Sequence, residues 1–148
     1  MMIGIEVRKI GDVRLDFASV MQDAINAKEV ICQNGKSNNT AMVSIISTTV
    51  MDDILSVYEF RPEIEFNEKQ QIFEGIVDEV RIFTYSDTKE QLIEDMVDMI
   101  EMVVEDFMEN VDVYVKFDNQ RKMYPYILRL SHCKDRNDMK RMVFNGVM

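Results

Sequence analysis

Ile3, Ile5 and Val7 alternate with Gly4, Glu6 and Arg8, a pattern that predicts a short strand ending near Lys9. Gly11 and Asp12 break it. Leu15, Phe17, Val20, Met21, Ala24 and Ile25 then recur at helical spacing, so residues 14–27 are predicted helical, with Ala18 and Ala27 as good helix formers and Asp12 as N-cap. Val30, Ile31 and Cys32 form a second strand, and the Asn and Gly residues between Gln33 and Asn39 supply a reversal. Ala41, Met42, Val43, Ser44, Ile45 and Ile46 return as a third strand. Thr48 or Thr49 caps a helix with Ile54, Leu55, Val57 and Tyr58 on its apolar side, stopped by Arg61-Pro62. The first sixty residues therefore read β-α-β-β-α.

Beyond Pro62 the texture changes. Ile64 and Phe66 alternate with acids, Ile72, Ile76 and Val77 surround Gly75, and Val80, Ile82, Phe83 and Tyr85 follow, which predicts two or three antiparallel strands. The clearest element is 88–109, where Leu92, Ile93, Met96, Val97, Met99, Ile100, Val103, Val104, Phe107 and Met108 keep helical spacing and Asp87 with Glu90 resembles a capping box. Val113, Val115 and Phe117 alternate like a strand, and residues 119–122 read as a turn. Residues 125–130 either begin a helix with Pro125 in its first position or form an edge strand, the helix being preferred. Asp135 or Asn137 caps a last helix carrying Met139, Met142, Val143 and Phe144. The predicted fold class is α+β: an N-terminal β-α-β-β-α lobe, residues 1–60, packed with a second lobe, residues 61–110, of antiparallel strands and one long amphipathic helix. Residues 111–148 form a basic, partly helical extension.

Charge sharpens this division. The chain of 148 residues has a net charge of −10, which excludes a general coat for a nucleic-acid backbone. Residues 1–60 carry 5 basic and 8 acidic side chains, residues 61–110 carry 4 and 15, and residues 111–148 carry 8 and 4. A partner recognised through charge must therefore be basic if it meets the middle segment or acidic if it meets the last third, and any DNA contact must be local. Cys32, Cys133 and the single histidine, His132, cannot build an ordinary structural zinc site. Charges throughout the first twenty residues leave no room for a signal-peptide apolar stretch, and the weakly polar run from Ala41 to Met51 falls short of a membrane span. A cytoplasmic protein with reduced thiols is the expectation.

Candidate chemistry is sparse. Glu94, Asp98, Glu101 and Glu105 line one face of the long helix, where they could meet a basic protein or form a solvated face; the second reading is the plainer one. His132 beside Cys133 does not make a nucleophilic pair, because adjacent residues of a helix diverge by about 100°. Gly35-Lys36-Ser37 has the tail of a phosphate loop but lacks its first glycine, where Val30 stands. The thirteen methionines suit gap filling in a core better than an adaptable binding surface. Arg8, Lys9 and Arg14 flank the first strand-to-helix junction and are the candidate DNA contacts. The dense cations of the last third, including Arg136, Lys140 and Arg141, could simply neutralise the acidic helix.

The stretches Arg14 to Met21, Ala24-Ile25, Ala27 to Cys32, Asn34-Gly35, Ala41 to Ile46 and Met51 to Leu55 resemble the Phd/YefM type II antitoxins. The strands near 63–85, followed by the helix at 86–107, are similar to HicB-like antitoxins. These resemblances cover roughly residues 3–109 and leave the tail unmatched. They imply a homodimer through the strand Ala41, Val43, Ile45 and Ile46, and operator DNA met by Arg14 and also Arg8 and Lys9. They also imply a toxin held by the C-terminal part. The expected function is then neutralisation of a cognate, basic toxin by stoichiometric occlusion, with autorepression of the operon as a secondary role and Glu94, Asp98, Glu101 and Glu105 facing the toxin. No cofactor, metal or catalytic site is expected. Two other classes remain: a stand-alone regulatory or structural interaction module of the same fold, and a Mg²⁺-dependent nuclease-like enzyme using Glu65, Glu74 and Asp78.

Overall fold

A computed structural model describes residues 3–34 and 41–147 and divides the chain into two compact units, Met1–Ile54 and Leu55–Met148. The division therefore precedes Arg61-Pro62 by several residues. Each unit contains one three-stranded sheet among the described residues.

In the first unit, β1 (Val7–Lys9) runs parallel to β2 (Val30–Gln33), and β3 (Met42–Ile45) pairs with β2 antiparallel, giving the order β1-β2-β3. A parallel pair needs a crossover, supplied by α1 (Ile10–Leu15) and α2 (Phe17–Ile25). The predicted single helix over 14–27 is corrected on three points. Helix begins at Ile10 with Lys9 in the N-cap position, so Asp12 lies inside α1 and is not its cap. The chain then breaks at Asp16 (φ −129°, ψ 46°) and resumes as α2. Ala27, predicted helical, lies beyond the helix end with φ +66°, a left-handed conformation that costs an L-residue energy. Val13, Val20 and Val30 form the small core, with Cys32 and Ile45 packed against it. Helix α3 (Thr48–Leu55) starts where the Ser47 hydroxyl accepts a bond from the Val50 amide, so Ser47 caps it, and it ends before Val57 and Tyr58. The reversal expected over 33–39 lies, from Gly35 on, outside the described residues.

The second unit is built on a meander of β4 (Glu63–Asn67), β5 (Ile72–Val77) and β6 (Ile82–Ser86). Strands β5 and β6 are joined by a 3₁₀ turn at Asp78–Val80. The long helix α4 (Lys89–Glu109) lies on one face of this sheet. Contact is close because Gly75 has no side chain: a Cβ there would sit 2.6 Å from Met96 Sδ and 3.1 Å from Leu92 Cδ2. The cap of α4 is Thr88, whose hydroxyl accepts from the Gln91 amide at 3.1 Å, and not Asp87 as the capping-box pattern predicts. Ser86 donates to Asp95 Oδ2 at 2.5 Å and so ties the end of β6 to the first turns of α4.

After α4 the described residues form four short helices joined by turns. The predicted strand at 113–117 and turn at 119–122 are instead α5 (Val111–Tyr114) and α6 (Asp118–Arg121). Tyr114 stacks on Phe107 and donates its hydroxyl to Asp106 Oδ2, contacts that a helical turn allows and an extended strand would carry away. Helix α7 (Tyr124–Ser131) has Pro125 in its first turn, and α8 (Arg136–Phe144) is capped by Asp135, both as the sequence suggests. Ile127, Leu130, Met139, Val143 and Phe144 join Leu92, Met96, Ile100 and Phe107 in one buried core, so the basic extension is an integral part of this unit.

Candidate interaction surfaces

The cations predicted to meet DNA are treated differently by the fold. Arg8 is half-buried and donates to Asp23 Oδ2 at 2.8 Å, tying β1 to α2; that bond raises its pKa above the ordinary arginine value. Lys9 ends β1 and Arg14 occupies the last turn of α1, both exposed. Of the expected dimer strand, Val43 and Ile45 belong to β3, while Ala41 and Ile46 flank it. β3 is an edge strand, with Met42 48% and Val43 63% exposed. Ile10, Leu15, Phe17, Met21 and Ile25 are exposed as well, so this unit leaves more large apolar side chains open than it buries.

On α4 the acidic line is largely answered from within the chain. Arg136 Nη2 contacts Glu94 Oε2 at 2.9 Å, while its Nη1 reaches Asp98 Oδ1 at 2.7 Å and Glu101 Oε2 at 3.0 Å. Lys140 also binds Glu94. The Glu94 carboxyl is consequently held below its ordinary range, first by the Lys140 bond and then by Arg136. The same cluster raises the Arg136 pKa further above its already high value. Among the described residues, only Glu105 of the four has no cation beside it. Which cation would answer the helix is not legible from its charge alone. The signal is Asp135, whose cap starts α8 immediately before Arg136.

Glu65 and Glu74 do meet, as directly opposed residues of β4 and β5, but Asp78 lies beyond the end of β5. Asp78 is four positions along the chain from Glu74, roughly 13 Å at the rise of a strand. Among the described residues no group of three His, Cys, Asp or Glu is placed to hold a metal ion, so the predicted Mg²⁺ triad is not assembled. Neither Cys32 nor Cys133 is in a disulfide. Cys133 Sγ faces the Arg129 carbonyl at 3.9 Å and Met142 Sδ at 3.8 Å, inside the packing of α7 and α8. Gly35-Lys36-Ser37 lies outside the described residues.

Each unit pairs a three-stranded sheet with helices, and the first leaves apolar side chains exposed along its edge strand β3 among the described residues. Residues 2–145 match the PHD-like family, antitoxins of RelE/RelB toxin–antitoxin systems, and the chain belongs to that family. The fold is similar to the crystal structure of the antitoxin part of a candidate toxin/antitoxin system from Syntrophomonas wolfei subsp. wolfei. The TM-score is 0.79 at 14% identity, covering 94% of this chain and 96% of that one. No curated protein matches. Family membership implies a toxin partner. Among the described residues, no helix is long and apolar enough to cross a membrane.

Proposed function

We propose that the protein neutralises a cognate toxin by stoichiometric occlusion. The family match over residues 2–145 carries this reading. The first unit acts as a Phd/YefM-type dimerisation lobe, joining a second copy through β3 and the apolar side chains around it. The strands and long helix of the second unit form a HicB-like lobe that meets the toxin. The 15 acidic against 4 basic side chains of residues 61–110 suit a basic toxin, such as one needing cations around an RNA substrate. On α4, Glu105 meets the partner without displacing an internal ion pair, whereas Glu94, Asp98 and Glu101 would first have to leave Arg136. Autorepression is the secondary role, with Lys9 and Arg14 on operator phosphates and Arg8 holding the junction in shape.

Titration of purified toxin with the full chain tests occlusion. Toxin activity should fall linearly and vanish at equimolar antitoxin, with both proteins in one complex. Loss of toxin activity at far lower ratios, as an enzyme acting on the toxin would produce, contradicts it. For autorepression, Arg14→Ala should weaken binding to the protein's own promoter; unchanged affinity removes that claim.

A further inference from the structure

The sheet of the second unit has a second face that none of that unit's helices covers. Gly75 points to α4, so strand alternation puts the neighbouring positions Glu74 and Ile76 on the opposite side. The register then assembles that side. Glu63 lies opposite Ile76, Glu65 opposite Glu74, Phe83 opposite Ile76 and Tyr85 opposite Glu74. Phe83 is 57% and Tyr85 63% exposed. Glu63, Glu65, Glu74, Ile76 and Phe83 line a shallow depression of about 140 Å³.

Two independent features of this face are unfavourable to the chain alone. Glu65 and Glu74 are like charges directly opposed across a strand pair, an arrangement that weakens a sheet. Among the described residues no cation relieves them; Glu74 accepts a bond only from Asn67 Nδ2, at 3.1 Å. Glu94, Asp98 and Glu101 of α4, by contrast, have Arg136, and Glu94 also has Lys140. Beside the opposed acids, two aromatic rings stand in solvent. Aromatic faces next to uncompensated carboxylates are what a guanidinium needs, since it can stack on the ring and pair with the acid in one pose.

We infer that this open sheet face, formed by Glu63, Glu65, Glu74, Phe83 and Tyr85, is the docking surface for an arginine-bearing segment of the toxin. A second copy of the chain does not fit: the face carries three carboxylates and no cation, so self-pairing would bring six carboxylates together. Nucleic acid and anionic lipid are excluded by the same sign. The assignment rests on the antitoxin reading and adds to it where the contact is made.

The test uses the full chain and a defined probe, a short peptide alternating Arg with Val, followed by amide chemical shifts and titration calorimetry. Saturable shifts should fall on β5 and β6, and Glu65→Gln/Glu74→Gln and Phe83→Ser/Tyr85→Ser should each weaken binding by about tenfold or more. Asp112→Asn, at an exposed acid of α5, should leave it unchanged. The Glu65→Gln/Glu74→Gln protein should also melt at a higher temperature than the parent, which a merely structural role for these acids would not produce. Shifts confined to α4, equal affinity of the variants, or equal binding of a peptide with Glu in place of Arg would overturn the proposal. Toxin titration separates the two levels. If the parent fails to neutralise toxin, the antitoxin reading falls; if the parent and the Glu65→Gln/Glu74→Gln variant neutralise equally, that reading stands and the docking face falls.

Discussion

Among the described residues of the second unit, Arg136 makes more ion pairs than any other side chain. One guanidinium reaches three carboxylates spread over two turns of α4, and its Nη2 also lies 3.2 Å from the Glu94 carbonyl. All four groups are partly exposed, so water and salt screen the attraction, and Arg136→Ala should cost only about 1 kcal/mol in urea unfolding, less at high salt. Its pH signature is more specific. Folding lowers the Glu94 pKa from its ordinary 4.5, so this carboxylate stabilises the fold above that value and the contribution is lost as pH falls through the folded value. Glu94→Gln should therefore flatten the acid branch of stability against pH, with little change in slope near neutrality. An unchanged acid branch would show that the ion pairs form without stabilising the fold.

A second residue works in the opposite sense. Ala27 holds φ +66° after α2, where glycine carries no Cβ penalty. Ala27→Gly should raise the stability of the first unit by about 0.5 kcal/mol, the smaller part of the left-handed penalty that remains after the entropy glycine loses. Thermal unfolding followed by circular dichroism would read it. Sequence pattern suggests the reverse, because alanine is the best helix former and sits at the end of a helical period. Helix propensity describes residues inside a helix; here the chain has already left it.

At the scale of elements, legibility follows length. Helix α4 has enough turns for its apolar stripe to stand out: of the ten positions in the pattern, Leu92, Ile93, Met96, Val97, Ile100, Val104 and Phe107 are buried, Met99 and Val103 are half-buried and Met108 is exposed. Helices α5 and α6 have four residues each, too few for a period, so Val113, Val115 and Phe117 mimic strand alternation while tertiary contacts of Tyr114 decide the conformation. Caps are legible only to within a residue. Thr88→Ala should cost about 1 kcal/mol and Asp87→Ala much less, because only the Thr88 hydroxyl receives a helix amide. Equal losses in a urea titration would restore Asp87 as the cap. The candidate docking face was less accessible still. Glu65, Glu74, Phe83 and Tyr85 are all visible as residues, but their meeting depends on register, and a slip of one residue would send a strand's side chains to the other face.

For the whole molecule, the two units differ in how they can be stable. The second buries sixteen apolar residues in one cluster and needs no partner to close its core. In the first, the buried cluster is Val13, Val20 and Val30, while Ile10, Leu15, Phe17, Met21, Ile25, Met42 and Val43 face solvent. At roughly 25 cal/mol per Å² of apolar surface removed from water, association through that surface would stabilise the first unit substantially, and it would do so by mass action. Calorimetry should then resolve two transitions, of which only the lower moves upward as protein concentration is raised. Val43→Asp, placed on the exposed edge strand, should lower that transition and abolish its concentration dependence while leaving the upper one in place. Sedimentation of the same variant should show a monomer. Concentration-independent melting of both transitions in the parent would mean that the first unit is stable alone and that β3 is not its dimer strand.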